Sequence, residues 1–286
     1  MATPLNNIST LPIYSSTDDR QASKWWVYGQ VYPLFWPYKH LPQWQVRVPK
    51  LNTSVAVQCA VYSEDGTLVL PGNTLEIVDN IEVVSGGDDY DYIVYTDTIP
   101  LDDEDAFIGR YYLKITATLS GTGAGTITLY SDIFTLVDDI SPYLMIEWWD
   151  TADFAMDNGD AVIWTYPGAG ETTVQLKRRL YLASDLAKPD YIFTEEGQER
   201  DGYFYPTKQL SEKRYRFGFM APEYLLDVMR FIRMADYVKV TYRGVEYNCD
   251  TFLITPEWEN NGDLASVSAE FDTDTVAKKL GGGYYK

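Results

Sequence analysis

Three acidic clusters are the residues of this sequence that most directly suggest chemistry. They are Asp88, Asp89 and Asp91; then Asp102, Asp103, Glu104 and Asp105; then Asp150, Asp153, Asp157, Asn158 and Asp160. Loops rich in carboxylate and carbonyl oxygens can bind Ca²⁺. None of the three has the ligand spacing of an EF-hand, and such charge runs are also typical of solvated loops. The third cluster is the best calcium candidate, but the expectation is that the chain uses no metal and no cofactor.

A second possibility is a pair of carboxylates beside aromatic rings, Glu147-Trp-Trp-Asp150, which would suit glycoside hydrolysis. Side chains three positions apart on a strand point to opposite faces, so these two carboxylates do not converge. His40 has no evident partners for a catalytic triad. The sequence also contains no phosphate-binding glycine loop and no zinc-ligand spacing. We therefore expect a protein that is not an enzyme.

Composition points in the same direction. The net charge of −19 argues against binding the phosphates of nucleic acid, although an acidic wall would keep passing DNA from adhering. The chain has 24 tyrosines, which suit contact surfaces as well as strands. Cys59 and Cys249 lack a CxxC spacing and predict two buried thiols in a reducing cytoplasm. No signal peptide and no apolar run of membrane-spanning length is evident, which predicts synthesis in the cytoplasm and no membrane partner.

The first half of the chain has the pattern of an all-β domain. Residues 1–24 are polar and predict an extended arm, and residues 25–139 predict an immunoglobulin-like β-sandwich. Alternating apolar residues predict strands at 54–61, 75–84, 91–95, 109–117 and 126–136. Gly109-x-Tyr111-x-Leu113 resembles the tyrosine corner of immunoglobulin-like domains, with Leu113 where a disulfide cysteine would stand. Packing alone would hold such a sandwich together.

The second half predicts an α+β domain over residues 140–280, after a boundary at Asp138–Pro142. Strands are expected at 143–149, 174–182, 213–219, 237–242 and 264–271, with one principal helix starting at Pro222. Arg243-Gly244 predicts a tight hairpin turn. Residues 189–201 are expected to form a charged loop, and residues 281–286 a flexible tail. The predicted fold is thus mainly β, with an antiparallel sheet and one helix in the second domain.

Two runs of the second half also carry a resemblance. "RDGYFYPTKQLSEKRYRFGFMAPEYLLDVMRFIRMADYVKVT" and "DTFLITPEWENNGDLASVSAEFDTDTVAKK" resemble a family of virion structural proteins from phages and prophages of Bacteroidetes. The similarity spans about residues 143–280, beginning at "YLMIEWWDTADF". It implies a tail or neck component of a bacteriophage particle. The family has no catalytic motif, so the resemblance implies no catalytic residues in this chain.

Two functions from different classes follow. The first is a structural subunit of a phage tail or neck, located in the virion, which forms a homo-oligomeric ring through its C-terminal domain, contacts neighbouring virion proteins and surrounds a DNA conduit. The second is an immunoglobulin-like module that binds glycans or proteins at the virion surface, with tryptophans as a stacking platform. The candidate interface residues are Trp25, Trp26, Trp36, Trp44, Asp227, Arg230, Arg233, Tyr284 and Tyr285. For the tryptophans, burial in the core is the alternative, and for the helix charges the alternative is a plain solvated face.

Overall fold

The structure, a computed structural model, is mainly β, with several β-sheets in the first half and an α+β region in the second. It describes residues 3–4, 10–21, 32–48, 55–73, 81–85, 92–96, 99–101, 107–121, 124–149, 155–157, 162–164, 177–258, 264–273 and 277–280. This confirms the predicted fold class.

The first half contains thirteen strands and one short helix in the described residues. They are β1 (Thr3–Pro4), β2 (Ile13–Tyr14), α1 (Thr17–Gln21), β3 (Phe35–Pro37), β4 (His40–Leu41), β5 (Gln45–Val48), β6 (Val55–Ser63), β7 (Leu68–Leu70), β8 (Ile81–Ser85), β9 (Tyr92–Thr96), β10 (Ile99–Pro100), β11 (Gly109–Leu119), β12 (Gly125–Ser131) and β13 (Phe134–Val137). One sheet has the order β1-β5-β9-β8, and a larger one runs β2-β12-β11-β13-β3 with β6 and β7 attached; β4 and β10 form a separate pair.

The sandwich-like core of this half lies beneath β6 and β11, which pair antiparallel over nine residue pairs. Cys59 and Val61 on β6 and Leu113 and Ile115 on β11 are fully buried, because alternate side chains of each strand face the same side. Burial raises the pKa of the Cys59 thiol to about 12. The core is therefore apolar and closed to water at this point.

The predicted tyrosine corner is confirmed. The Tyr111 hydroxyl donates a hydrogen bond to the backbone oxygen of Ile108 at 2.9 Å. Gly109 lies between the two with φ +140°, and a Cβ at that position would come within 3.0 Å of the Tyr111 hydroxyl oxygen. The glycine thus allows the hydroxyl to reach back over the turn that precedes β11.

The N-terminal segment differs from the extended arm expected for residues 1–24. β1 pairs with β5 and β2 pairs with β12, so parts of this segment complete both sheets of the same chain. Leu11 and Ile13 are buried in the core. Their apolar side chains pack at the edge of the sheet. The free energy gained by this burial exceeds the conformational entropy that the chain loses when the segment becomes ordered.

The second half contains ten strands and one principal helix among the described residues. They are β14 (Leu144–Trp149), β15 (Ala155–Asp157), β16 (Val162–Trp164), β17 (Arg178–Leu182), β18 (Asp190–Arg200), β19 (Tyr203–Pro222), α2 (Glu223–Ile232), β20 (Tyr237–Tyr242), β21 (Val245–Trp258), β22 (Leu264–Thr273) and β23 (Ala277–Leu280). The main sheet has the order β17-β14-β20-β21-β22-β19-β18, and β23 also pairs with β19; β15 and β16 form a separate pair.

Helix α2 packs against one face of the main sheet. Its apolar residues recur at helical spacing and are buried: Tyr224, Leu225, Leu226, Val228, Met229 and Ile232. Facing them are Phe217 on β19, Phe252 on β21 and Phe271 on β22. Pro222 is the N-cap residue, with extended φ and ψ angles of −75° and 160°, so the helix starts at Glu223, one position after the start that the sequence predicts.

The main sheet curves around this helix. The segment after β17 reaches β19, near the other end of the strand order. There the Ser184 hydroxyl donates to the Gly218 oxygen at 2.8 Å. In the same segment, the Ala187 N–H donates to the Arg216 oxygen at 2.8 Å. Four strands separate β17 from β19 in the sheet order, and β17 ends at Leu182, only two residues before Ser184. The sheet must therefore curve to bring the end of β17 this close to β19.

The chain passes from the first set of sheets to the second between Val137 and Leu144, where the predicted boundary lies. Among the described residues, two contact groups join the halves. In the first, the Gln43 side chain hydrogen-bonds the backbone of Lys177 and Arg179 beside an edge-on contact of the Trp36 and Tyr181 rings, whose centroids are 5.1 Å apart.

The second group lies at the start of α2. The Tyr32 hydroxyl donates to the Met220 oxygen at 2.7 Å. Burial raises the pKa of Tyr224 well above its ordinary value, and nearby Asp132, Tyr32 and Tyr14 add to that rise. Side chains of both halves therefore enclose the first turn of the helix.

Residues 126–136 pair with β11 as predicted, but a one-residue shift of register at Asp132 and Ile133 divides them into β12 and β13. The Asp132 N–H donates to the Pro12 oxygen at 2.7 Å, and the Asp132 carboxylate accepts from the Ile133 N–H at 2.8 Å. One strand prediction needs correction. The expected charged loop at residues 189–201 is instead strand β18. Its carboxylates find partners across the ladder, which offsets the low strand propensity of charged residues.

Candidate interaction surface

Strands β18 and β19 form a long hairpin that extends past the rest of the main sheet. They pair from Arg200 opposite Tyr203 to Asp190 opposite Arg214. On the other side of β19, β22 pairs only from Arg214 onward, and β23 covers residues 208–211. We call the hairpin of residues 190–213 the arm.

The local sequence explains why the arm forms. Asp201 and Gly202 have φ angles of +55° and +78°, the left-handed pair that a two-residue hairpin turn requires. The ladder shifts register between Glu196 and Gly197, so a β-bulge twists the outer part of the arm. The tip therefore has a defined geometry set by its own turn and bulge.

Four large aromatic side chains of the arm are exposed to solvent. The exposed fractions are 60% for Tyr191, 72% for Phe193, 70% for Tyr203 and 51% for Phe204. Single exposed apolar residues are common, but exposed aromatics concentrated on one projecting hairpin indicate a contact surface. Tyrosine and phenylalanine supply large contact areas at small entropic cost.

Part of this aromatic surface continues the face on which the core is built. Tyr191 lies opposite Lys213, on the same face of the sheet as Tyr215. The Tyr215 ring stacks on Phe271 at a centroid distance of 5.4 Å, and Lys213 Nζ lies 6.0 Å from the Tyr191 ring centre. The apolar face thus runs from beneath the helix out onto the arm, where no described residue covers Phe193.

Polar cross-strand pairs occupy the middle of the arm. Glu196 and Lys208 form an ion pair at 2.9 Å, and the Gln209 amide donates to Glu195 at 2.6 Å. Exposed pairs of this kind contribute little free energy. Their consequence is an acidic, charged β18 edge beside the exposed aromatic residues.

The predicted interface residues fall into three groups. Trp36 and Trp44 are 4% and 2% exposed, so both belong to the core and neither can present a ring to a sugar or a partner. This corrects their place in a stacking platform and agrees with the alternative of core packing. The remaining aromatic candidates, Trp25, Trp26, Tyr284 and Tyr285, lie outside the described residues.

The helix charges lie on the solvent side of α2. Asp227 and Arg230 face each other at 4.0 Å with their side chains about half exposed, and Arg233 is also exposed at the helix end. Their ion pair is weak at that distance and exposure. Asp227 also lines a groove of about 520 Å³ between the helix and β21.

Glu147, the described member of the predicted carboxylate pair, is part of a charge cluster on the face of the sheet opposite α2. Its carboxylate lies 2.6 Å from Arg179 Nε and 3.5 Å from Lys239 Nζ. Burial works to raise its pKa, but the Arg179 hydrogen bond and the two positive charges outweigh it, and the pKa of Glu147 lies below its ordinary value. Such a carboxylate stays ionised and cannot serve as the acid of a glycosidase. Asp150, the other member of the predicted pair, lies outside the described residues.

His40 and the described part of the acidic clusters do not form a catalytic or metal-binding site. Burial lowers the pKa of His40, and the positive charges of Arg179 and Lys39 lower it further. Within the described ranges no three acidic, histidine or cysteine side chains converge to hold a metal, and the acidic clusters lie almost wholly outside those ranges. No described helix has the length and apolar character that crossing a membrane requires.

The exposed aromatics of the arm are candidate interface residues that the sequence analysis did not identify. Their signal was present: Asp201-Gly202 is a strong hairpin dipeptide, and Tyr191 and Phe193 alternate with neighbours as in a strand. The four glutamate and aspartate residues among them concealed the pattern by making the stretch resemble a solvated loop.

Comparisons with known proteins do not add to this picture: no family model matches the chain, and the searches of curated proteins and of solved structures also find no match.

Proposed function

We propose that this chain is a structural, non-catalytic subunit of a bacteriophage tail or neck that assembles into a closed homo-oligomeric ring through its C-terminal α+β region. The observation that carries the proposal is the arm, with four exposed aromatics on a hairpin that projects beyond its own sheet. A ring needs a heterologous contact, in which a projecting element of one subunit meets a different surface of the next. The arm is such an element.

Three further features support this role. The sequence of residues 143–280 resembles phage virion structural proteins, which favours the tail or neck and a location in the particle. The two halves are joined by Gln43 and by Tyr32, so a subunit can act as one block in an assembly. The net charge of −19 suits a wall that surrounds passing DNA without adhering to it.

The test is the mass of the full chain in solution over a wide concentration range, by sedimentation velocity, followed by negative-stain imaging. We expect an integer multiple of the subunit mass and closed rings. The double substitution Phe193→Ser with Tyr203→Ser should weaken assembly by about a hundredfold or more, since buried aromatics dominate interface free energies.

The matched control is Leu68→Ser with Val245→Ser, which removes two exposed apolar side chains outside the arm. It should assemble as the wild type does. A chain that stays monomeric at its highest soluble concentration, or arm variants that assemble normally, would overturn the proposal.

A further inference from the structure

The groove between α2 and β21 has one apolar wall and an acidic rim. It is lined by Glu223, Leu226, Asp227, Ile254, Pro256 and Trp258. Its volume of about 520 Å³ lies within the range of about 300–1,000 Å³ that ligand pockets occupy. The Trp258 side chain is 48% exposed although it lies on the face of the sheet that α2 covers. A partner that covers this ring would have to bring apolar or aromatic side chains together with positive charge.

One segment of the chain has that composition. Residues 277–286, Ala-Lys-Lys-Leu-Gly-Gly-Gly-Tyr-Tyr-Lys, contain three lysines and no carboxylate side chain, in a chain with 42 acidic and 23 basic residues. Within it, two adjacent tyrosines follow three glycines. Tyrosine rings suit the Trp258–Pro256 wall, and Lys286, which follows the two tyrosines directly, suits the Glu223 and Asp227 rim.

The geometry of β23 directs this segment away from the groove of its own chain. β23 runs antiparallel to β19, from Ala277 opposite Ser211 to Leu280 opposite Lys208, and so towards the tip of the arm. The groove begins near Ile254, which lies level with Phe217 through its partner on β22. From Lys208 to Phe217 the strand covers about 30 Å at about 3.3 Å per residue.

Six residues cannot span that distance. Even fully extended, six residues reach only about 20 Å from Leu280, and β23 ends at Leu280 while running away from the groove. The arm, however, carries Leu280 outward to where a neighbouring subunit would lie. We propose that residues 281–286 of one copy bind in the α2–β21 groove of a second copy, with Tyr284 and Tyr285 against Trp258 and Lys286 facing the acidic rim. This contact rests on the proposed homo-oligomeric assembly, in which the arm of one subunit brings its C-terminal residues to the groove of the next.

The experiment uses a fluorescein-labelled peptide of residues 277–286 and the chain ending at Leu280, whose groove its own copies cannot fill. We expect saturable binding in fluorescence anisotropy. Binding should weaken at least about tenfold with Asp227→Lys and with Trp258→Ala, since a tenfold loss corresponds to about 1.4 kcal/mol. The peptide with Tyr284→Ser and Tyr285→Ser should bind equally weakly.

Glu64→Lys is the matched control, because it makes the same charge change at an exposed carboxylate far from the groove. It should leave peptide binding unchanged. Loss of binding in this control to the same extent, normal binding by the Asp227→Lys and Trp258→Ala variants, or no binding at all would overturn the inference.

The two proposals fail in different ways. If the full chain forms rings and the chain ending at Leu280 forms them equally well without binding the peptide, assembly stands and the groove contact is wrong. If the full chain stays monomeric while the peptide binds specifically to the groove, the recognition stands and the ring is wrong. Cross-linking of a Tyr285→Cys, Asp227→Cys variant with Cys249 replaced by Ser should give dimers and larger species; a cross-link confined to the monomer would overturn binding between copies.

Discussion

The side-chain oxygen of Gln43 accepts a hydrogen bond from the backbone N–H of Arg179 at 2.9 Å, while its amide nitrogen donates to the Lys177 oxygen. One side chain thus takes the place of a neighbouring strand on the outer edge of β17, where the described part of the chain provides none. At the opposite edge of the described sheet, β18 has a ladder on one side only. The two edges differ in consequence: one is closed by the other half of the chain, and the other is open to a partner.

Replacing Gln43 by alanine should lower the free energy of unfolding by about 1–3 kcal/mol, because two partly buried backbone groups would lose their partners. Denaturation in urea measures the difference. Gln58→Ala, at an exposed position on β6, is the control and should change stability by less than about 0.5 kcal/mol. Equal effects at both positions would show that the Gln43 cap does not stabilise the chain.

Asp272→Asn should make the chain less stable at neutral pH and should lessen its loss of stability in acid. Arg214 holds the Asp272 carboxylate by two hydrogen bonds of 2.8 Å, and Thr251 donates a third at 3.0 Å. The Arg214 hydrogen bonds, followed by that from Thr251, keep the pKa of Asp272 below its ordinary value despite burial.

The sign of the pH dependence follows from that depressed pKa. Stability from the ionised carboxylate is fully present above the unfolded-state pKa of about 3.9 and is lost as the pH falls through the lower folded-state pKa. The wild type should therefore exceed Asp272→Asn by about 1–3 kcal/mol at pH 7, with the gap closing below about pH 4. Asp190→Asn, in an exposed ion pair with Arg216, should cost less than about 0.5 kcal/mol. A gap that does not change with pH would contradict this account.

Tyr111→Phe should cost about 1 kcal/mol of unfolding free energy, since it removes the hydroxyl that binds the Ile108 oxygen and keeps the ring. Chemical denaturation of both proteins at the same pH provides the comparison. Tyr62→Phe serves as the control, because its ring stacks on Tyr112 at 5.5 Å and the stacking survives the change. If both variants lose the same stability, the corner hydrogen bond has no special role.

Local sequence patterns determined the fold class and several individual elements. Alternation of apolar residues gave β6 and β11, helical spacing gave α2, and Arg243-Gly244 gave a turn with φ angles of +50° and +76°. The tyrosine corner was visible because its three residues are neighbours in sequence. In each case the interactions that fix the conformation lie within a few positions of one another.

Tertiary structure alone decided which surfaces are covered. Trp36 and Trp44 could have been core or platform, and only the packing of distant strands around them made them core. Strand β18 looked like a loop because its carboxylates gain partners only across the ladder, and the closed edge at Gln43 depends on a residue 136 positions from Arg179. Burial and long-range pairing are properties of the folded chain, so the exposed aromatic arm and the α2–β21 groove emerge only when all strands are in place.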